Sequence, residues 1–289
     1  MEFAGTVERL RALRPEYPDA YGVQVGAPVG EGWFSLASVT AADVASWCMR
    51  AREQDNPARL AAVAASRVAG ELTHAVLGRA VAAIVLEHRA WDVRAANLAV
   101  RRAEDGAVQV AVSDGRFLVL PDDPAAGRPG VTVLPDLAAL VDGVAAAAVG
   151  TLTPLYTAVR AATRYGMVPL WNSASDTVLS AAAYVPLYAG TDRGAARRLG
   201  LDLVDALVRH GAGVRSAGGC EPVVRGGETY DVPVRAACCQ YYKTEPAVER
   251  ASDAYCMTCP FLGADERARR FGDYAEWVQC SRRATAAVR

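Results

Sequence analysis

The sequence predicts an α+β protein, mainly helical, with a small antiparallel β-meander and a C-terminal cysteine-rich segment. Three observations lead there. Capped runs with apolar residues at helical spacing fill the early part of the chain and return after residue 135. Between them, residues 91–135 hold short runs of two-residue alternation joined by Asp-Gly pairs. Four of the seven cysteines fall within CCQYYKTEPAVERASDAYCMTC, from Cys238 to Cys259.

The elements follow in order. Thr40 precedes AADVASWCMRARE, with Asp43 three residues on, a capping-box-like start. Val44, Trp47, Cys48 and Ala51 then share one face, which makes Cys48 a core residue. Asn56-Pro57 is expected to open a second helix, with proline at its first position, running through Leu72 and Val76 toward Gly78. After His88 the texture changes. WDVRAANLAVRR, AVQVAV and RFLVL alternate, and Glu104-Asp105-Gly106 and Ser113-Asp114-Gly115 join them. This pattern predicts a three-strand antiparallel meander, extended by VTVLP from Val131. PDDPAAGRPG reads as a loop. From Asp136 helices are expected over 136–162, 173–188 and 191–210, followed by a glycine-rich loop, HGAGVRSAGG. A last helix over 264–280 pairs Asp265 with Arg269 and carries an apolar stripe of Phe271, Tyr274 and Val278. The natural division is near residue 135. Residues 1–135 form an N-terminal helical and antiparallel-sheet part, and residues 136–289 a helical C-terminal part that contains segment 238–259.

Composition limits the function. The chain has 289 residues, 52% of them hydrophobic, and a formal net charge of −1. That fits a folded protein and offers no basic stripe for a phosphate backbone, so nucleic acid is not an expected partner. The N-terminus has an acid at position two and no signal-peptide core. The longest apolar stretch, 143–156, falls short of the ~20 residues of a membrane span, and Pro154 is expected to interrupt it. The expected location is cytoplasmic, with no membrane span. Lys243 is the only lysine, against thirty arginines, and it lies inside the cysteine segment.

In a reducing compartment clustered cysteines bind metal or do redox chemistry. Thiolates select soft or borderline metals. Cys256-Met-Thr-Cys259 is a CxxC pair, which by itself is half a zinc site or a redox pair. Cys238 and Cys239 would point to opposite faces of an extended chain, so sharing one small ion needs a sharp backbone bend. A two-iron cluster is a wider target with four thiolate positions. The three histidines, His74, His88 and His210, lie far from the segment in sequence. Four thiolates on one cofactor follow, with a [2Fe–2S] cluster ahead of zinc. Cys280, three residues after Trp277, is the rival ligand.

RAACCQYYKT followed by a CxxC resembles the FhuF-like ferric siderophore reductases. The matching residues are Cys238, Cys239, Tyr241, Tyr242, Cys256 and Cys259. Upstream, PLWNSASDTVLSAA, with Leu170, Trp171 and Asn172, looks like the family's Leu-Trp-Gly-Asn, here without the glycine. The resemblance covers roughly residues 150–260. Sixteen residues separate the two cysteine pairs, more than the family carries, and loop closure costs rise only logarithmically with length. The resemblance implies a [2Fe–2S] cluster on Cys238, Cys239, Cys256 and Cys259 and one-electron reduction of a ferric siderophore in the cytosol. No dinucleotide fingerprint is present, so electrons are expected from an external donor such as a ferredoxin or flavin reductase. Trp171 and Asn172 either line a ligand pocket or form a helix cap. Arg235, Tyr242 and Lys243 are candidates for substrate or donor docking. Two alternatives remain: a FhuF-like scaffold serving a biosynthetic pathway, and a non-enzymatic module with a structural four-cysteine zinc site.

Overall fold

A computed structural model describes residues 3–54, 59–103, 108–113, 115–216, 218–244 and 255–287. The mainly helical α+β class holds. After α1 (Ala4–Ala12) and two short strands, β1 (Gln24–Val25) and β2 (Phe34–Ser35), α2 (Ala41–Gln54) begins at the expected capping box. The Thr40 amide and hydroxyl donate to Asp43 Oδ2 at 2.9 and 2.6 Å, and the Asp43 amide returns a bond to Thr40 Oγ1 at 3.2 Å. Val44, Cys48 and Ala51 are buried on one face, so Cys48 is core.

The next helix starts later and runs further than the sequence predicts. Its expected opening at Asn56-Pro57 lies outside the described residues. α3 (Ala61–Thr73) passes through one π turn (His74–Gly78) into α4 (Arg79–Glu87), which His88 ends in the left-handed region at φ 52°. Gly78 is required in that turn. A Cβ there would stand 2.3 Å from Nδ1 of the His74 ring.

The three-strand meander is not one sheet. β4 (Leu98–Arg102) and β5 (Val108–Val112) pair antiparallel as expected, with Val100 opposite Val110. The third run, β6 (Phe117–Val119), instead pairs with β3 (Ala90–Trp91) and with β7 (Val131–Val133). The sheets are β1-β5-β4-β2 and β3-β6-β7, and the β1-β5 and β6-β7 pairs are parallel. The Ser113 amide closes the first hairpin on the Asn97 carbonyl at 2.8 Å, and Gly115 then turns the chain at φ 57°. This lets Phe117 reach the core beside Trp91 and stack on Phe3. Burial of those rings outweighs continuation of the meander. The Glu104-Asp105-Gly106 turn and Asp114 fall outside the described residues.

α5 (Leu137–Thr163) is capped by Asp136, which accepts from the Ala139 amide at 2.8 Å. It runs through Pro154 without stopping. The residue whose carbonyl the proline ring would crowd is Gly150, and the ring lies on the exposed side. The Thr153 and Thr157 hydroxyls donate to neighbouring carbonyls of Val149 and Thr153 at 2.7 and 2.8 Å. Residues 61–87 and 137–163 are thus two helical stretches, each 27 residues, long and apolar enough to cross a membrane. The most apolar windows are 78% and 39% buried within the protein.

α6 (Met167–Ala189) begins six residues before the expected start, so Trp171 and Asn172 lie inside the helix and form no cap. α7 (Arg193–Arg209) follows the Asp192 cap. It approaches α6 so closely that a Cβ on Gly200 would come within 2.8 Å of Ala182. β8 (Gly219–Arg225) and β9 (Glu228–Val234) form a hairpin that the sequence reading did not identify. Its turn, Gly226-Gly227, has both residues in the left-handed region. α8 (Ala264–Ala287) outlasts its expected end at residue 280. Arg269 pairs with Glu266 at 2.7 Å and Asp273 at 3.0 Å, in place of the expected Asp265. Phe271 and Val278 pack with Leu187, Tyr230 and Val232 as a small second core. The main core draws residues from both sides of position 135. Through it, α3 is held facing the segment that follows β9.

Candidate functional site

Asp176, on α6, sets the position of the cysteine pair. Its carboxylate is 3% exposed and accepts from the amides of Ala236 and Ala237 at 2.7 and 3.0 Å. Arg235 Nε lies 3.7 Å away. Burial raises the Asp176 carboxyl to about 6, against the two amides and the Arg235 charge, which favour ionisation. Beyond this anchor the backbone bends as the adjacent pair demands. Gln240 sits in the left-handed region at φ 57°, and its amide donates to Cys238 Sγ at 3.2 Å. The Tyr165 hydroxyl donates to the Cys238 carbonyl at 3.5 Å.

The CxxC arm is docked separately. The Arg235 amide donates to the Thr258 carbonyl at 3.0 Å, and the Cys259 amide to the Cys256 carbonyl at 2.9 Å. From α8, the buried Arg267 donates to the Cys259 carbonyl at 3.1 Å, to the Leu262 carbonyl, and to Glu221 on β8 at 2.6 Å. Arg270 donates to the Tyr255 carbonyl at 2.9 Å.

The two arms bring the four thiols to one cavity. The Cys238 thiol is close enough to Cys239 and Cys259, and the Cys256 thiol close enough to Cys239, for its titration to be shifted. None is in a disulfide. Cys239 and then the Gln240 amide pull the Cys238 thiol below its ordinary value. Cys239 and burial push Cys256 well above it, and burial raises Cys259. Arg235 stays charged, since Asp176 and the thiols offset the cost of its burial. The donor set is all sulfur, which suits a thiophilic metal group. Among the described residues no three His, Cys, Asp or Glu side chains close on a single-ion position.

All four cysteines line one cavity of about 450 Å³. Arg235, Tyr241, Tyr242 and Tyr255 share that wall, and α3 supplies the opposite one. Of the sequence-predicted residues, the four cysteines, Arg235 and Tyr242 come together. Lys243 is beside them but not on the cavity wall. It bonds Gln240 Oε1 at 3.0 Å, and its ammonium lies 5.9 Å from the centre of the Tyr242 ring. Trp171 and Asn172 lie elsewhere. Trp171 packs edge-on against Tyr156 in the core, and Asn172 Oδ1 accepts the Arg215 and Ser216 amides. Cys280 is exposed on α8 and does not line the cavity. Asp176 was missed, although a lone acid in the apolar run WNSASDTVLSAA is a readable sign of a buried anchor. His74, Gly70 and Arg67 were missed because nothing local joins them to the cysteines.

The chain matches no protein-family model, no curated protein and no solved structure.

Proposed function

We propose that this chain is an iron–sulfur oxidoreductase, a cytoplasmic ferric-siderophore reductase with a [2Fe–2S] cluster on Cys238, Cys239, Cys256 and Cys259. The observation that carries the reading is the gathering of four cysteines from two arms around one open cavity. Each arm brings two thiols, Cys238 with Cys239 and Cys256 with Cys259, and four thiolate positions suit a two-iron cluster. When bound, the cluster supplies one electron at a time. The chain's own groups do the rest. Arg235 offsets negative charge on the thiolates, the Gln240 amide hydrogen-bonds the Cys238 sulfur, and α3 forms part of the cavity wall. Fe(III) is hard and held tightly by the oxygen donors of a siderophore. As Fe(II) it is held less well, so reduction is release. The electron would come from an external donor, a ferredoxin or flavin reductase.

A structural zinc on the same four sulfurs is the second reading, favoured by the firm anchoring of both arms through Asp176 and Arg267. Anaerobic purification, a visible spectrum and iron, zinc and sulfide assays separate the two. Brown protein with about two irons and two sulfides per chain is expected; colourless protein with about one zinc would remove the reductase reading. In the brown case, chemically reduced protein should reoxidise on mixing with ferric siderophore while a chelator traps Fe(II). Protein that stays reduced would leave a redox role in a biosynthetic pathway.

A further inference from the structure

The wall opposite the cysteines carries a glycine with no local reason to be there. Gly70 sits inside α3, where glycine costs about 1 kcal/mol relative to alanine. Gly78 is explained by the His74 ring over it and Gly200 by Ala182 against it. A Cβ on Gly70 would meet nothing within 4 Å, and Gly70 lines the cavity. Its missing side chain therefore deepens the cavity toward the helix backbone. One turn on, His74 also lines it, set by the π turn, a helix irregularity frequent at functional sites. Its Nδ1 is buried with no hydrogen-bond partner among the described residues. Facing these are Tyr241, Tyr242 and Tyr255, with Tyr242 packed on Tyr255 and Phe261 at 5.1 and 5.9 Å between ring centres. Two guanidinium groups, Arg67 and Arg235, reach the same space; Arg67 pairs at 3.1 Å with Glu71, which also lines the cavity, and Arg235 lies 3.7 Å from Asp176. About 450 Å³ is the size of a small-molecule site.

We propose that this cavity binds an aromatic, oxygen-rich chelate of the catecholate class, seated on Gly70 of α3 and His74 of the π turn, with its metal toward the cysteines. The chemistry selects that class. Tyrosine rings take an aryl ring edge-on or offset-stacked. Guanidinium groups take anionic aryl oxygens in charge-assisted bonds. An aliphatic trihydroxamate complex of a trivalent ion is neutral and has no ring, so it uses neither feature. The inference rests on the reductase reading for the identity of the metal as ferric iron, but the site itself does not require electron transfer.

The test uses redox-silent probes, the gallium(III) complexes of a catecholate and of a trihydroxamate chelator, titrated calorimetrically into the full chain. The catecholate complex is expected to bind about tenfold or more tightly than the trihydroxamate. Gly70→Phe fills the open space and is expected to weaken catecholate binding about tenfold or more, with the visible spectrum and Tm kept. Gly70→Leu is the smaller plug, to be read if the phenylalanine variant does not fold. Catecholate affinity untouched by either plug, or a preference for the trihydroxamate, overturns the proposal. The two readings fail separately. Colourless protein with Gly70-sensitive catecholate binding supports the site and removes the reductase. Brown protein indifferent to Gly70 overturns the site and leaves the reductase.

Discussion

Asp176 ties one side chain and two backbone amides into one anchor: the Arg235 guanidinium and the amides of Ala236 and Ala237. Asp176→Ala leaves two amides and a largely buried guanidinium without their partner. The expected cost is about 2–4 kcal/mol in urea unfolding, with reduced metal loading. Stability and loading equal to the parent would show that the cysteine pair is placed some other way. Two buried groups also set opposing pH dependences. The Asp176 carboxyl is raised from 3.8 to about 6, so its contribution is full below its unfolded value and is lost as pH rises through about 6. Burial, with Arg79 nearby, lowers His74 from 6.5 to about 3. Its contribution is full above 6.5 and is lost as pH falls toward 3. Between pH 4 and 6 the two slopes cancel in the parent, each about 1.4 kcal/mol per pH unit. Relative to the parent, Asp176→Asn should make stability rise more steeply with pH there, and His74→Gln should make it fall. Parallel curves for all three proteins would contradict both assignments. The lone acid in an apolar run marks Asp176 as buried, but the sequence names the partners of neither residue, because those partners lie far away along the chain.

At the scale of elements, close helix contact leaves little tolerance. Gly200 lets α7 lie on α6 near Ala182. Gly200→Leu should overpack that contact and lower unfolding stability by about 1–3 kcal/mol, while the cysteine site, held by other residues, keeps its spectrum. An unchanged urea midpoint would mean that the helices part without cost. Elements bounded by local chemistry were read well. The Thr40–Asp43 box starts α2, and Asp136 starts α5. Elements decided by long-range packing were not. The π turn carries α3 on into α4, and Phe117 leaves the meander for the core. The Gly226-Gly227 hairpin did have a local signal, glycines able to adopt the left-handed turn, but its strands lack clean alternation.

For the whole molecule, the cysteine site joins pieces that the cores hold only in part. One arm hangs from α6 through Asp176, the other from α8 through Arg267. Binding a group to four thiolates links these arms, so stripping it with a chelator should lower the Tm by several degrees, on the scale of about 2–4 °C per kcal/mol for a chain of this size. A Tm indifferent to stripping would mean that the arms are ordered without the group. Cys239→Ser should lose colour and loading, whereas Cys280→Ser, on the exposed face of α8, should keep both. Colour lost in both variants would restore Cys280 as a ligand.

The sequence by itself determined what short-range chemistry specifies: a mainly helical α+β chain, its capped helix starts, and four cysteines gathered in two close-spaced pairs. Caps and periodicities act within a few residues, so they can be read along the chain. Only the tertiary structure decided how the strands divide into sheets, that Asp176 holds the cysteine pair from 60 residues away, and that Gly70 and His74 face the sulfurs across a cavity. Those relations come from burying rings and pairing amides across the fold. No local pattern records which distant residue meets that need.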